Sequence, residues 1–335
     1  MKRLTQRLLI GAILGVVVLV VATLYADVSK LSRHLERFTW VLLLPVLGLS
    51  LTNYLFRYLK WHYLLGRAGV RVSPTHSLLV FLSGFSMGVT PGKIGELLKS
   101  YLLKRSHDIP MTRTAPVVIA ERITDLVALM LLCLVGVFTY ATEPGFQLLL
   151  GLCGLAVVAL TAVLSSRRLM NGLAALLSRL PVLRRIAPKL QEFSESMAAL
   201  LTPGPLTLTT LLSGAAWLCE CVGFWLVLRG LPGGAIPVQL AIFIYAATTV
   251  LGALSFLPGG LGVTEGSMIL LLVRTARGMT HSAAVAATLL IRLCTLWFSV
   301  LVGVAALLAF RRRITGALEL AAALPPPPRD GSTEG

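Results

Sequence analysis

The stretch VTPGKIGELLKSY, residues 89–101, decides how the chain is read. It sets a Pro-Gly pair, a second glycine, two lysines and a glutamate inside a sequence that is otherwise mostly apolar. On a soluble domain it would pass as a loop. Its surroundings argue against that: the 335 residues are 56% hydrophobic and 13% charged, with a mean hydropathy of +0.85, whereas soluble domains carry roughly 25% charged residues. Apolar runs close to the ~20 residues needed to cross a bilayer recur along the chain. The sequence therefore predicts an all-α polytopic membrane protein.

Working outward from residue 89, full spans are expected at about 8–25, 40–64, 114–140, 146–164, 205–229 and 282–310. Two more apolar regions, 76–104 and 237–274, are broken in the middle by TPGKIGE (90–96) and LPGGLGVTEG (257–266). The N-terminal run Leu8–Tyr25 is longer than a signal-peptide core, and Leu24 occupies a position where cleavage wants a small residue, so an uncleaved first span is expected.

Loop charges discriminate between broken regions that cross and broken regions that re-enter. If both re-enter, one face collects Lys2, Arg3 and Arg7, then Arg57, Lys60, Arg67 and Arg71, and then Lys104, Arg105 and Arg113. The linker arginines 167–185 and Arg311–Arg313 join them. If both cross, the basic residues divide between the two faces. The positive-inside rule selects re-entrance, with both termini cytoplasmic. Six full spans and two re-entrant helical hairpins then fall into two inverted repeats, about 8–140 and 146–310. PGKIG-E at 91–96 echoes PGGLGVTE at 258–265, and each motif's glutamate precedes an arginine at nearly the same distance, Glu96 to Arg122 and Glu265 to Arg292. Gly/Pro-interrupted segments at matching positions of two halves point to a transporter binding site. The membrane domain is drawn at 1–315, with a cytoplasmic amphipathic linker at 165–204 and a disordered tail at 316–335.

After the loops are assigned, Lys93, Lys99, Arg122 and Arg292 remain at membrane depth, with Glu96, Glu121, Asp125, Glu220 and Glu265 as acidic companions. Charges there face a cavity, pair with one another or mark a substrate path. Helices starting at Pro91–Gly92 and at Gly259–Gly260 would aim free N–H groups at the interior, a ready site for an anion. The alternative is that Glu96–Arg122 and Glu265–Arg292 are buried ion pairs that only fix register.

The net charge of +16 sits mostly in loops, where anionic lipid accounts for it, so no nucleic-acid partner is expected. Cys133, Cys153, Cys219, Cys221 and Cys294 lie in apolar segments without CxxC pairs or histidine companions, and neither a metal nor a cofactor is expected.

TPGKIGELLKSYLLKR (90–105), AERITD (120–125) and FLPGGLGVTEG (256–266) resemble the lysylphosphatidylglycerol synthase transmembrane-region family, also described as flippase-like domain proteins. The resemblance extends to about residue 315. It implies a bacterial inner-membrane protein, not an enzyme, that moves an anionic phospholipid or a polyprenyl-linked phosphate between leaflets. The aminoacyl-transferase domain of bifunctional members has no counterpart here, so synthase activity is not carried over. By motif, the implied substrate-binding residues are Pro91, Gly92, Gly95, Glu96, Arg122, Asp125, Pro258, Gly259, Gly260, Gly262 and Glu265, to which the charge argument adds Lys93 and Arg292. Gly260 stands where the first motif has Lys93, which breaks the symmetry of charge. A homo-oligomer or a partner lipid-modifying enzyme is compatible with this reading. The competing readings are a membrane enzyme acting on a lipid phosphate, and an accessory subunit without transport of its own.

Overall fold

The computed structural model describes residues 28–90, 95–140, 144–166, 168–170, 172 and 187–323. The expected first span at 8–25, the tip residues Pro91, Gly92 and Lys93, and much of the 165–204 linker lie outside the described residues.

Every described element is a helix or a helical turn. A short helix α1 (Val28–Glu36) leads into a 3-10 turn at Trp40–Leu42 that continues as α2 (Leu43–Arg67). Helix α3 (Pro74–Gly84) starts on a proline, with Ser73 accepting the His76 N–H as its cap. It ends in a 3-10 turn at Phe85–Met87. Helix α4 (Leu98–His107) stops where Asp108 adopts the left-handed conformation, and α5 (Met111–Cys133) follows. Next come the single turn α6 (Val137–Tyr140), α7 (Pro144–Ser165), α8 (Ala187–Leu200) and α9 (Pro203–Arg229). The second broken region is α10 (Val238–Leu254), a turn at Pro258–Gly260 and α11 (Val263–Thr275). The chain closes with α12 (His281–Arg292), a π turn at Leu293–Trp297 and α13 (Phe298–Ala323).

Among the described residues, four helices are long and apolar enough to cross a membrane: Trp40–Arg67, Pro144–Ser165, Pro203–Arg229 and His281–Arg313. They coincide with four of the expected spans. Helix α7 exposes Leu148, Leu152, Leu155 and Val158, an apolar face of the kind that meets hydrocarbon or another protein surface. The span expected at 114–140 is different, because its helix ends at Cys133 and restarts as α6. Helix α13 runs past residue 316 to Ala323, so the segment expected to open a disordered tail is helical that far.

At 1.5 Å per residue, α3 and α4 are only about 16 Å long each, and α11 about 20 Å. None of these reaches across ~30 Å of hydrocarbon. Each pairs with its sequence neighbour instead, α3 with α4 and α10 with α11.

Packing is centred on α2 against α9, with α5 laid against α9. The two hairpins are then held crosswise. Helix α5, from the first half, packs on α10, while α13, from the second half, packs on α3. Two apolar clusters result. One gathers Phe224, Phe243, Ile244, Leu272 and Ile291 around the second hairpin. The other gathers Trp61, Leu64, Phe81, Leu103 and Val117 around the first.

Candidate functional site

Helix α2 carries a polar stripe at helical spacing: Ser50, Asn53, Tyr54, Arg57 and Lys60 are all buried. The stripe faces α9 and the π turn. A π turn leaves carbonyls without their usual helical donors, and α2 supplies substitutes. Ser50 Oγ donates to Cys294 O at 2.9 Å, and the Tyr54 hydroxyl to Thr295 O at 3.4 Å. Asn53 Nδ2 donates to Ala216 O of α9 at 2.8 Å.

Arg57 and Lys60 were expected in a cytoplasmic loop together with Arg67 and Arg71. They are instead interior: Arg57 lies about 15 Å along the helix axis from Arg67, and Lys60 has no exposed surface. The apolar run simply continues as helix through them to Arg67, and α9 covers their face.

Around this stripe the first hairpin and α5 assemble a charge cluster. Lys60 Nζ donates to Asp125 Oδ1 at 2.6 Å and to Ser213 Oγ at 2.7 Å. Lys99 Nζ donates to Glu121 Oε2 at 2.5 Å and sits 4.5 Å from the Trp61 ring centroid. Arg122 pairs with Glu96 at 3.1 Å and with Asp125 at 3.1 Å. Glu96 is shared further, with Lys99 at 3.7 Å and Arg57 at 3.9 Å. Buried charges of opposite sign that share partners satisfy one another's desolvation cost.

The second motif is simpler. Gly259, Gly260 and Gly262 take φ of 62°, 67° and 85°, positive values that glycine tolerates and that delay the returning helix. Helix α11 therefore begins at Val263, not at Gly259–Gly260 as expected. At its N-cap the Gly262 N–H donates to Glu265 Oε2 at 2.6 Å. The other Glu265 oxygen meets Arg292 Nε at 2.6 Å, and Arg292 Nη2 donates to Gly259 O at 2.8 Å. On the first hairpin, the Gly95 N–H donates to Thr90 Oγ1 at 2.9 Å, which in turn donates to Met87 O.

Both arginine–glutamate pairs read from the sequence thus form. They face one cavity of about 340 Å³. Of the predicted residues, Glu96, Arg122, Asp125, Gly259, Gly260 and Arg292 line it. Gly95, Pro258, Gly262 and Glu265 stand behind that wall, shaping the turns and holding Arg292. The sequence reading missed Tyr54, Arg57, Trp217 and Tyr245, which also line it; Glu220, read from the sequence as a hydrogen-bonded structural carboxyl at membrane depth, accepts the Tyr245 hydroxyl at 2.6 Å. The regular spacing of polar residues along 50–60 was the available signal for α2. The lining also includes the apolar Leu126, Leu160, Phe256 and Leu257. Phe256 is 71% and Leu160 46% exposed, so that part of the lining reaches the protein's outer surface.

The sequence pattern of the lysylphosphatidylglycerol synthase TM region matches residues 9–303. A UPF0104 membrane protein of Pyrococcus horikoshii is 24% identical over 317 residues, covering 87% of this chain and 93% of its own. A UPF0104 membrane protein of Methanothermobacter thermautotrophicus is 23% identical over 322 residues, covering 89% and 94%. With its long apolar helices and a matching pattern over most of its length, the chain is a multi-pass membrane protein that belongs to the lysylphosphatidylglycerol synthase transmembrane-region family.

Proposed function

We propose that the protein is a flippase that moves a lipid with a phosphate-bearing headgroup, an anionic phospholipid or a polyprenyl-linked phosphate, between leaflets. One observation carries this reading: the same cavity is lined both by Arg57, Arg122 and Arg292 and by apolar side chains, of which Leu160 and Phe256 reach the outer surface. Such a cavity matches a molecule with a charged head and apolar tails. Guanidinium groups bind phosphate with a planar fork of donors, while tails lying along Leu160, Phe256 and Leu257 remain in hydrocarbon.

The crosswise packing of α5 on α10 and α13 on α3 supports two inverted repeats with re-entrant hairpins, and the short hairpin helices support re-entrance. In this arrangement the termini are cytoplasmic and the membrane is the plasma membrane. In this reading the lipid crosses without covalent chemistry. The Thr295 and Ser299 hydroxyls of the cavity lining donate to helix carbonyls at 2.8 and 2.7 Å.

The test is a dithionite-quenching assay on proteoliposomes carrying fluorescent phosphatidylglycerol or a fluorescent polyprenyl phosphate. Protein-containing vesicles are expected to expose inner-leaflet label faster than protein-free vesicles, and to move a phosphate-free diacylglycerol analogue no faster than the background. Equal rates with and without protein, for both phosphate-bearing probes, refute the flippase reading.

A further inference from the structure

The cluster beside the first hairpin has four cations, Arg57, Lys60, Lys99 and Arg122, facing three carboxylates, Glu96, Glu121 and Asp125. The short contacts assign the carboxylates elsewhere. Asp125 is held by Lys60 at 2.6 Å, Glu121 by Lys99 at 2.5 Å, and Glu96 by Arg122 at 3.1 Å. Arg57 is left with a 3.9 Å approach to the already shared Glu96, too long for a hydrogen bond, and with the Phe85 ring 5.1 Å below its guanidinium. Its Nε has no hydrogen-bond partner, although the residue is only 7% exposed and lines the cavity.

A buried guanidinium without a close carboxylate is costly to hold, and Arg57 at 3.9 Å is less closely paired than Arg122 at 3.1 Å or Arg292 at 2.6 Å. Resting on the flippase reading above, we propose that Arg57 is the residue that takes the headgroup phosphate, in preference to the ion-paired Arg122 and Arg292. Arg122 and Arg292 enter the cavity already neutralised, by Glu96 and Glu265. Arg57 has only the 3.9 Å approach to the shared Glu96, so it brings the least closely paired of the three guanidinium groups to the cavity, where its planar head can clasp two phosphate oxygens as a fork. Phe85 fixes the plane of that fork from one side.

The experiment is equilibrium titration of the purified full-length protein in detergent, followed by intrinsic fluorescence, since Trp217 lines the cavity. The probes are short-chain phosphatidylglycerol, short-chain diacylglycerol, glycerol phosphate and inorganic phosphate. Wild type is expected to prefer short-chain phosphatidylglycerol over diacylglycerol. Arg57→Gln should weaken phosphatidylglycerol binding by about tenfold or more and erase that preference. Arg57→Lys keeps the charge but loses the fork, and should fall between the two. Arg229→Gln, which removes a guanidinium stacked on Trp225 outside the cavity lining, serves as the control and should bind as wild type does. Binding of inorganic phosphate with the same dependence on Arg57 identifies a free-anion site instead of a lipid site, and overturns the headgroup assignment. If wild type prefers phosphatidylglycerol and both Arg57 variants keep the preference undiminished, the proposal fails and the flippase reading stands. If wild type prefers neither short-chain phosphatidylglycerol nor a short-chain polyprenyl phosphate titrated beside it over diacylglycerol, the flippase reading itself fails. Should Arg57→Gln not fold, Arg57→Lys decides alone: undiminished affinity and preference overturn the proposal.

Discussion

Substituting Lys60 by methionine probes the interior cluster most directly. The side chain has no exposed surface, so methionine of similar length fills its volume and leaves little cavity. What is lost is the 2.6 Å contact to Asp125 and the 2.7 Å contact to Ser213. Removing one partner of a buried ion pair costs about 3–5 kcal/mol, because the other charge stays buried without its counterion. Asp125 keeps Arg122 at 3.1 Å, so the loss belongs at the low end, about 3 kcal/mol. At about 2 °C per kcal/mol for a chain of this length, the unfolding temperature should fall by about 6 °C. The double variant Lys60→Met/Asp125→Leu removes both charges and should recover at least about half of that loss, about 1.5 kcal/mol. The assay is thermal unfolding in detergent with a thiol-reactive dye, which reads exposure of the buried Cys133, Cys221 and Cys294. A Lys60→Met protein as stable as wild type, or a double variant no more stable than the sum of its single variants, would refute an energetically coupled interior pair.

Two further outcomes follow from single positions. An added Cβ at Gly95 would lie 2.5 Å from Met87 Cβ and 2.6 Å from both Met87 O and Thr90 Oγ1, so Gly95→Ala should destabilise by about 1–3 kcal/mol in the same unfolding assay; no loss would mean that the first hairpin tip relaxes freely. At the base of that hairpin, burial first, then the neighbouring His107 and Arg313, holds the His76 imidazole below its ordinary value. A histidine depressed in the fold contributes stability that is fully present above its unfolded value near ~6.5 and is lost as pH falls through the folded value. Unfolding temperature should therefore drop on acidification from about pH 7.5 to about pH 5, and His76→Gln should flatten that slope; an unchanged slope would assign it to other groups.

The parts of this site that were legible in the sequence are those set by local spacing. Glu96 and Arg122, and Glu265 and Arg292, stand at matching offsets because each hairpin returns its glutamate alongside the helix that follows. Both pairs form at the expected positions. Arg57 and Lys60 were not legible as interior residues, since a basic pair followed by Arg67 and Arg71 has the composition of a cytoplasmic loop. Their burial is a tertiary result, created when α9 lies along α2 and Ser213 reaches Lys60. The start of α11 was misplaced for a different reason. Proline and glycine mark where a helix can begin, but three positive-φ glycines, at 259, 260 and 262, carry the break further and let Glu265 bond the N-cap.

The π turn at Leu293–Trp297 gives the final helix two registers on one continuous rod. Upstream, α12 is keyed to α11 and α1; downstream, α13 is keyed to α3 and to the Phe85–Met87 turn. Since each residue of a helix advances the facing direction by about 100°, the extra residue of the π turn offsets the downstream face by that angle. A one-residue deletion within 293–297 would swing Gly303 away from Phe85 and Ser86, the backbone it now nearly touches, while leaving Arg292 beside Glu265. The same rod thus acts as a torsional coupling between the two halves, in which the bond pattern of one turn sets how the first hairpin is seated against a helix anchored in the second.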